Sequence, residues 1–204
     1  MHCPDGAECD TIYTLYLYEE MAMKQSVRSL CLCALMTCVM CILSCIALPV
    51  GAVPVTLQTF AAALCGYILR PREAFFSALA YLLLGVCGLP VFSMMQGGAG
   101  MLAGPTGGFL MGLPVMTWLC ALGKKHAVWK QALTGTAGLA VLYALGALHL
   151  ARVSQISLTQ AFLGGVLPFI VKDALSLAAA LFLARTISKR LSLLPSPAKR
   201  HTSR

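Results

Sequence analysis

Leu167-Pro168-Phe169-Ile170-Val171-Lys172-Asp173-Ala174-Leu175-Ser176-Leu177 is almost wholly apolar except for one adjacent Lys–Asp pair, and Asp173 is the only acidic residue after Glu73. A carboxylate held in a run this apolar costs roughly 2.5–3.5 kcal/mol at bilayer depth unless something pairs with it. The stretch therefore reads as membrane-embedded helix and as the address of a site. The remainder of the chain agrees: 59% of the 204 residues are hydrophobic and 11% charged, with a mean hydropathy of +0.82. That leaves too little polar surface for a water-soluble domain of this length. The net charge of +8 does not point to nucleic acid, because the basic residues sit at the ends of apolar runs and form no basic-aromatic stripe.

Windows of about 20 apolar residues, the length that crosses a hydrocarbon core of roughly 30 Å, predict six transmembrane helices near 27–48, 55–70, 73–90, 105–123, 128–150 and 169–188. Arg70-Pro71-Arg72 forces a tight hairpin between the second and third. Cations cluster before the first span (Lys24, Arg28), between the second and third (Arg70, Arg72), between the fourth and fifth (Lys124, Lys125, Lys130) and after the last (Arg185, Lys189, Arg190, Lys199, Arg200, Arg204). With six spans all four clusters fall on one side, so both termini are expected in the cytoplasm. The opposite connections, 49–54, 91–104 and 151–168, hold a single cation, Arg152.

Residues 1–25 carry five of the seven acids and lack the apolar core of a secretory signal. They are expected to form a poorly ordered N-terminal extension, and Met21 and Met23 fit a mis-started or non-native one. Residues 26–190 make up the membrane domain, and 191–204 a basic cytoplasmic tail.

Uncharged, Gly-rich backbone at membrane level is tolerated only where it is buried in protein or lines a cavity. Connection 91–104, with Gln96-Gly97-Gly98-Ala99-Gly100, and connection 49–54 thus point to an outer pocket. Ten cysteines, five of them in the first span, do not make a metal site, since a thiol in hydrocarbon resists the deprotonation that zinc needs. They serve as small apolar residues. Ala34 and Cys38, four apart, give the first helix a small-residue docking face. Gly104, Gly108 and Gly112 give the fourth span a close-packing stripe, and Pro105 with Thr106 reads as its helix start, with free N–H groups toward the outer cavity.

Val53-Pro54-Val55-Thr56-Leu57-Gln58-Thr59-Phe60, the run Tyr81 to Phe92, the Gly97-Gly98 pair, Gly104-Pro105-Thr106-Gly107-Gly108-Phe109-Leu110, and Gly165-Val166-Leu167-Pro168-Phe169 with Asp173 resemble the BioY family, the biotin-binding S components of energy-coupling-factor (ECF) importers. The resemblance covers about residues 27–190. It implies the all-α, six-helix S-component fold in a bacterial cytoplasmic membrane and an outward pocket for biotin. It also implies a first helix that docks, through Ala34 and Cys38, a transmembrane coupling subunit (EcfT) served by two ATPase subunits. Where the family usually shows Gly-Asp-x-x-Lys, this chain has Lys172-Asp173-Ala174-Leu175-Ser176: the carboxylate is kept, and the lysine is moved one helical turn outward. Asp173 is thus expected to accept hydrogen bonds from the ureido N–H groups and Lys172 to hold the ligand's carboxylate. Adjacent helical residues point about 100° apart, which argues against mere mutual neutralisation. The family's pocket asparagine has no counterpart here; Gln96, Gln58 and Thr56 are candidate substitutes. Tyr81 and Tyr143 are candidates to wall the ring system, and Gly98, Thr106 and Gly107 to contact the ligand.

No phosphate-binding loop is present, so any ATPase must come from partners. No His-Glu-x-x-His, Gly-x-Ser-x-Gly or second deep titratable group supports an enzyme. The rival readings are a stand-alone facilitator or proton-coupled carrier of a small organic acid using Asp173 as its relay, and a purely structural membrane subunit.

Overall fold

The computed structural model describes residues 27–48, 55–124 and 126–193. The expectations for the 1–25 extension, the 49–54 connection, Lys125 and the tail from 194 lie outside the described residues. Among those described, three helices are long and apolar enough to cross a membrane: α1 (Val27–Cys45), α6 (Val128–Val153) and the run Leu158–Arg190. Helices α2 (Gln58–Ile68, 11 residues), α3 (Pro71–Val86, 16) and α5 (Gly107–Leu122, 16) are shorter. At 1.5 Å per residue they reach about 16 and 24 Å, less than a hydrocarbon core. The outer surface is apolar enough for lipid, with Phe182 75% and Leu30 70% exposed.

The Arg70 hairpin forms as the sequence predicts. Helix α2 stops at Ile68 and Pro71 opens α3, where its missing N–H costs nothing; the Arg70 backbone N–H donates to Glu73 Oε2 at 3.0 Å. The connections expected to face out hold more structure than loops. Residues Ala47–Leu48 (β1) pair antiparallel with Val55–Thr56 (β2), which satisfies backbone groups that would otherwise lie bare near the membrane. Connection 91–104 contains a 3₁₀ turn, Ser93–Met95, and α4 (Gly100–Ala103). Connection 151–168 contains α7 (Leu158–Gly165), launched by reciprocal hydrogen bonds between Ser157 and Gln160. A second 3₁₀ turn, Leu167–Phe169, leads into α8 (Ile170–Leu193).

Helices α5 and α6 form the most extensive pair, and α2 packs on α8, α5 and α3. Glycine permits the first contact: a Cβ on Gly108 would lie 2.4 Å from His149 Cβ and 2.6 Å from Leu145 O, and one on Gly112 2.9 Å from Leu142. Gly104 is not part of that seam, since a Cβ there would meet only its own segment. Pro105 is likewise not the first helical residue; α5 starts at Gly107 with Thr106 as its N-cap. Polar bridges cross between helices: Thr117 Oγ1 donates to Ala74 O (3.2 Å), joining α5 to α3, and Thr37 Oγ1 lies 3.0 Å from Ser77 Oγ, joining α1 to α3.

Candidate functional site

A cavity enclosing about 620 Å³, open solvent at its mouth included, opens among β2, α2, α5, α6 and the start of α8. Its apolar wall comes from Phe92, Phe109, Leu110, Leu142 and Phe169, among others. Its polar lining comes from Thr56, Gln58, Thr59, Ser93, Thr106, Tyr143, Lys172 and Asp173.

Asp173 is 3% exposed. Tyr143 Oη donates to its Oδ2 at 2.7 Å, and the Lys172 ammonium forms an ion pair with Oδ1. The expectation that adjacent residues would not pair is thus corrected. The 100° separation governs Cβ directions, but the four-carbon lysine stem bends back across it. Lys172 Nζ also donates to Thr56 O at 2.9 Å, joining α8 to β2. The ion pair does not meet hydrogen-bond geometry, and Asp173 Oδ1 has no hydrogen-bond partner among the described residues. Ser93 Oγ is in the same position. Both residues line this cavity. Buried polar groups normally have partners, so a carboxylate oxygen held by charge alone and a hydroxyl without a hydrogen bond among the described residues suit a cavity that takes a polar ligand.

Ser93 is held by strained backbone. Met94 and Met95 both have φ of +57°, a conformation that costs a β-carbon-bearing residue of order 1–3 kcal/mol. Such strain persists only where the surroundings enforce it. Phe92 is fully buried, and it seats against α3 because Gly85 has no side chain; a Cβ there would lie 2.1 Å from the Phe92 ring.

Of the residues expected from sequence, Asp173, Lys172, Tyr143, Thr106, Gln58 and Thr56 are brought together around this cavity, and Gln96, Gly98, Gly107 and Tyr81 are not among its lining residues. Tyr81 stands behind Phe92, ring edge to face at 5.7 Å. Its hydroxyl accepts from Gln58 Nε2 (2.9 Å) and donates to Val91 O (3.2 Å), so it braces the wall. Gln96 is exposed, and its backbone closes the Phe92–Gln96 bridge. Gly98, at φ +101°, donates its N–H to Gly85 O at 2.7 Å. Gly107 is required for closeness to α4, where a Cβ would fall 1.9 Å from Leu102 O. Ser93 and the apolar wall were missed: one more Phe or Leu carries no contrast in an apolar chain, and the two left-handed methionines leave no compositional trace. Ala34 and Cys38 are exposed on α1 and line a groove shared with α3, away from the cavity.

The model of the BioY family matches residues 19–193. A probable biotin transporter BioY from Pyrococcus horikoshii is 39% identical over 142 residues, covering 70% of this chain and 85% of that protein. The biotin transporter BioY of Thermotoga maritima is 37% identical over 147 residues, with 71% and 86% covered. The solved structure of an S-component for biotin from an ECF-type ABC transporter superposes with a TM-score of 0.76 at 27% identity, covering 81% of this chain and 93% of that one.

Proposed function

The chain belongs to the BioY family, and we propose that it is the membrane subunit that captures biotin from the outer side and delivers it inward together with an ECF energising module. By homology it is the biotin S component of such a transporter, a transport protein rather than an enzyme. The reading adopts six membrane crossings, with the short helices completing their passage through flanking loops, and both termini in the cytoplasm of a bacterial cell, as the cation distribution requires.

One observation carries the reading: a buried carboxylate, Asp173, on the wall of a mostly apolar cavity, held there by Tyr143 and by a flexible lysine that can change partners. Biotin offers complementary chemistry, with a fused ring system that suits the Phe92, Phe109 and Phe169 wall, ureido N–H donors for a carboxylate, and a carboxylate tail for a cation. Lys172 neutralises Asp173, which lowers the cost of burying the carboxylate. The ureido and carboxylate ends of one ligand cannot both meet two side chains that touch each other. Binding therefore exchanges partners. The ureido group takes over Asp173 Oδ1 while Tyr143 keeps Oδ2, and the ammonium swings on its flexible stem to the ligand's carboxylate. In doing so Lys172 loosens its bond to Thr56 O, so occupancy of the cavity is coupled to the β1–β2 pair on the outer side. Ser93 Oγ supplies a further contact where the family's asparagine is lacking. Ala34 and Cys38, small and exposed on α1, form the face for the coupling subunit.

Saturable one-to-one binding of biotin to the purified chain in detergent, and co-purification with a coupling subunit and two ATPase subunits, are the expected results. Binding that fails to saturate, or uptake driven by a proton gradient without any ATPase, contradicts the reading and favours a stand-alone carrier.

A further inference from the structure

At the end of the bundle opposite the biotin cavity, a second cleft encloses about 870 Å³, open solvent included. Arg185 lies on its wall, 13 residues beyond Lys172 on α8, or about 20 Å along the helix. The floor is built from buried groups: Tyr67 is 3% and Gln131 7% exposed. Gln131 organises the rim. Its Nε2 donates to Lys124 O and His126 O, both at 3.0 Å, and its Oε1 accepts from Arg185 Nε at 3.1 Å, while Tyr67 Oη donates to Gln131 O at 3.2 Å. One amide thus holds the Lys124 and His126 carbonyls and the guanidinium together, and Arg185 has four N–H donors beyond the one it spends on Gln131. Lys124 Nζ donates to Ile68 O and has two further donors. Lys189 and His126 complete the rim, and no carboxylate lines the cleft among the described residues. The acid nearest Lys124 in charge interaction, Glu73, is held by Ser29 and by the Arg70 backbone at the start of α3. Helix α6 points its N-terminus, which has no side-chain cap, at the same end of the bundle, adding partial positive charge there.

An orienting amide beneath a guanidinium, with the Lys124 ammonium on the same rim, is a geometry suited to a forked, multiply charged oxyanion. We propose that this cleft is a phosphate-binding site, which takes either the headgroup of an anionic lipid from the cytoplasmic leaflet or a free phosphate-bearing solute. It is independent of the biotin reading, since no residue is shared between the two cavities.

The test uses the full chain purified in detergent, with the double substitution Lys124→Gln/Arg185→Gln and an unchanged Tm as the check that the variant is folded. Retention of phosphatidylglycerol against phosphatidylcholine is read by native mass spectrometry, and inorganic phosphate is added as a competitor. The parent chain is expected to retain phosphatidylglycerol preferentially. Each cation near an anionic group contributes about fivefold, so the variant is expected to bind about 25-fold more weakly. Displacement of the lipid by millimolar inorganic phosphate identifies a free solute as the natural occupant, and resistance to it identifies the headgroup; both support a phosphate site. Equal retention of phosphatidylglycerol and equal phosphate binding by parent and variant overturn the proposal. If the variant's Tm falls, Lys124→Gln alone is measured, with about a fivefold loss expected and an unchanged affinity overturning the proposal.

Discussion

Replacing Asp173 by Asn removes a charge from the cavity wall with almost no change in volume. The Tyr143 hydroxyl that donates to Oδ2 at 2.7 Å finds an amide oxygen in its place, so the α6–α8 contact survives and the fold is expected to hold. The ligand loses the ionised acceptor. Hydrogen bonds to charged groups contribute about 1.5–3 kcal/mol, and neutral ones about 0.5–1.5 kcal/mol. Because the Tyr143 hydroxyl takes the amide oxygen, the amide NH2 stands at the Oδ1 position and cannot accept from a ureido N–H, so that bond is lost outright, for about 1.5–3 kcal/mol. That corresponds to a rise in Kd of roughly 10- to 150-fold. Isothermal titration of the purified chain with biotin in detergent reads it directly, with thermal unfolding as the control on integrity. A Kd within twofold of the parent, in a variant of unchanged Tm, refutes the claim that Asp173 holds the ureido group.

Lys172→Ala separates the two roles available to that side chain: if the ammonium receives the ligand's carboxylate, biotin binding falls about tenfold or more while biotinamide is little affected, whereas equal losses for both ligands mean that Lys172 acts only by neutralising Asp173. Gly85→Ala drives a methyl into the Phe92 ring, 2.1 Å from its would-be Cβ; overpacking of this kind costs about 1–3 kcal/mol, and both Tm and biotin affinity are expected to fall. Thr117→Val deletes the bridge from α5 to Ala74 O and is expected to destabilise by about 0.6 kcal/mol, the average for such bonds between membrane helices, leaving biotin affinity unchanged; this is checked by denaturation in mixed micelles.

The feature most legible in the sequence was the one with the highest cost. An acid in an apolar run stands out against its surroundings, and Asp173 does line the cavity. Proline with flanking charge at Arg70-Pro71-Arg72 set the α2–α3 hairpin for a similarly local reason. Elements fixed by tertiary contact were less visible. Helix α7 lay inside an expected loop, although Ser157 and Gln160, three apart, carry a legible N-terminal signature. The Lys172–Asp173 pairing was misjudged because Cβ direction was weighed without the reach of a lysine stem. Gly98 and Gly107 stand out as sequence features, but their demands are backbone ones, a positive φ and a close approach to Leu102, and neither faces the cavity. Ser93 is defined only by the fold, since nothing in its neighbours announces that its hydroxyl ends up buried without a partner.

The central claim is an exchange of partners at Asp173, and a structure of the chain with biotin bound tests it most directly. The anomalous signal of the ligand's ring sulfur is expected beside Phe92 and Leu142, with a ureido nitrogen within hydrogen-bonding distance of Asp173 Oδ1 and the Lys172 ammonium on the ligand's carboxylate. Biotin lying elsewhere, or lying in this cavity with Lys172 still paired to Asp173, contradicts the account.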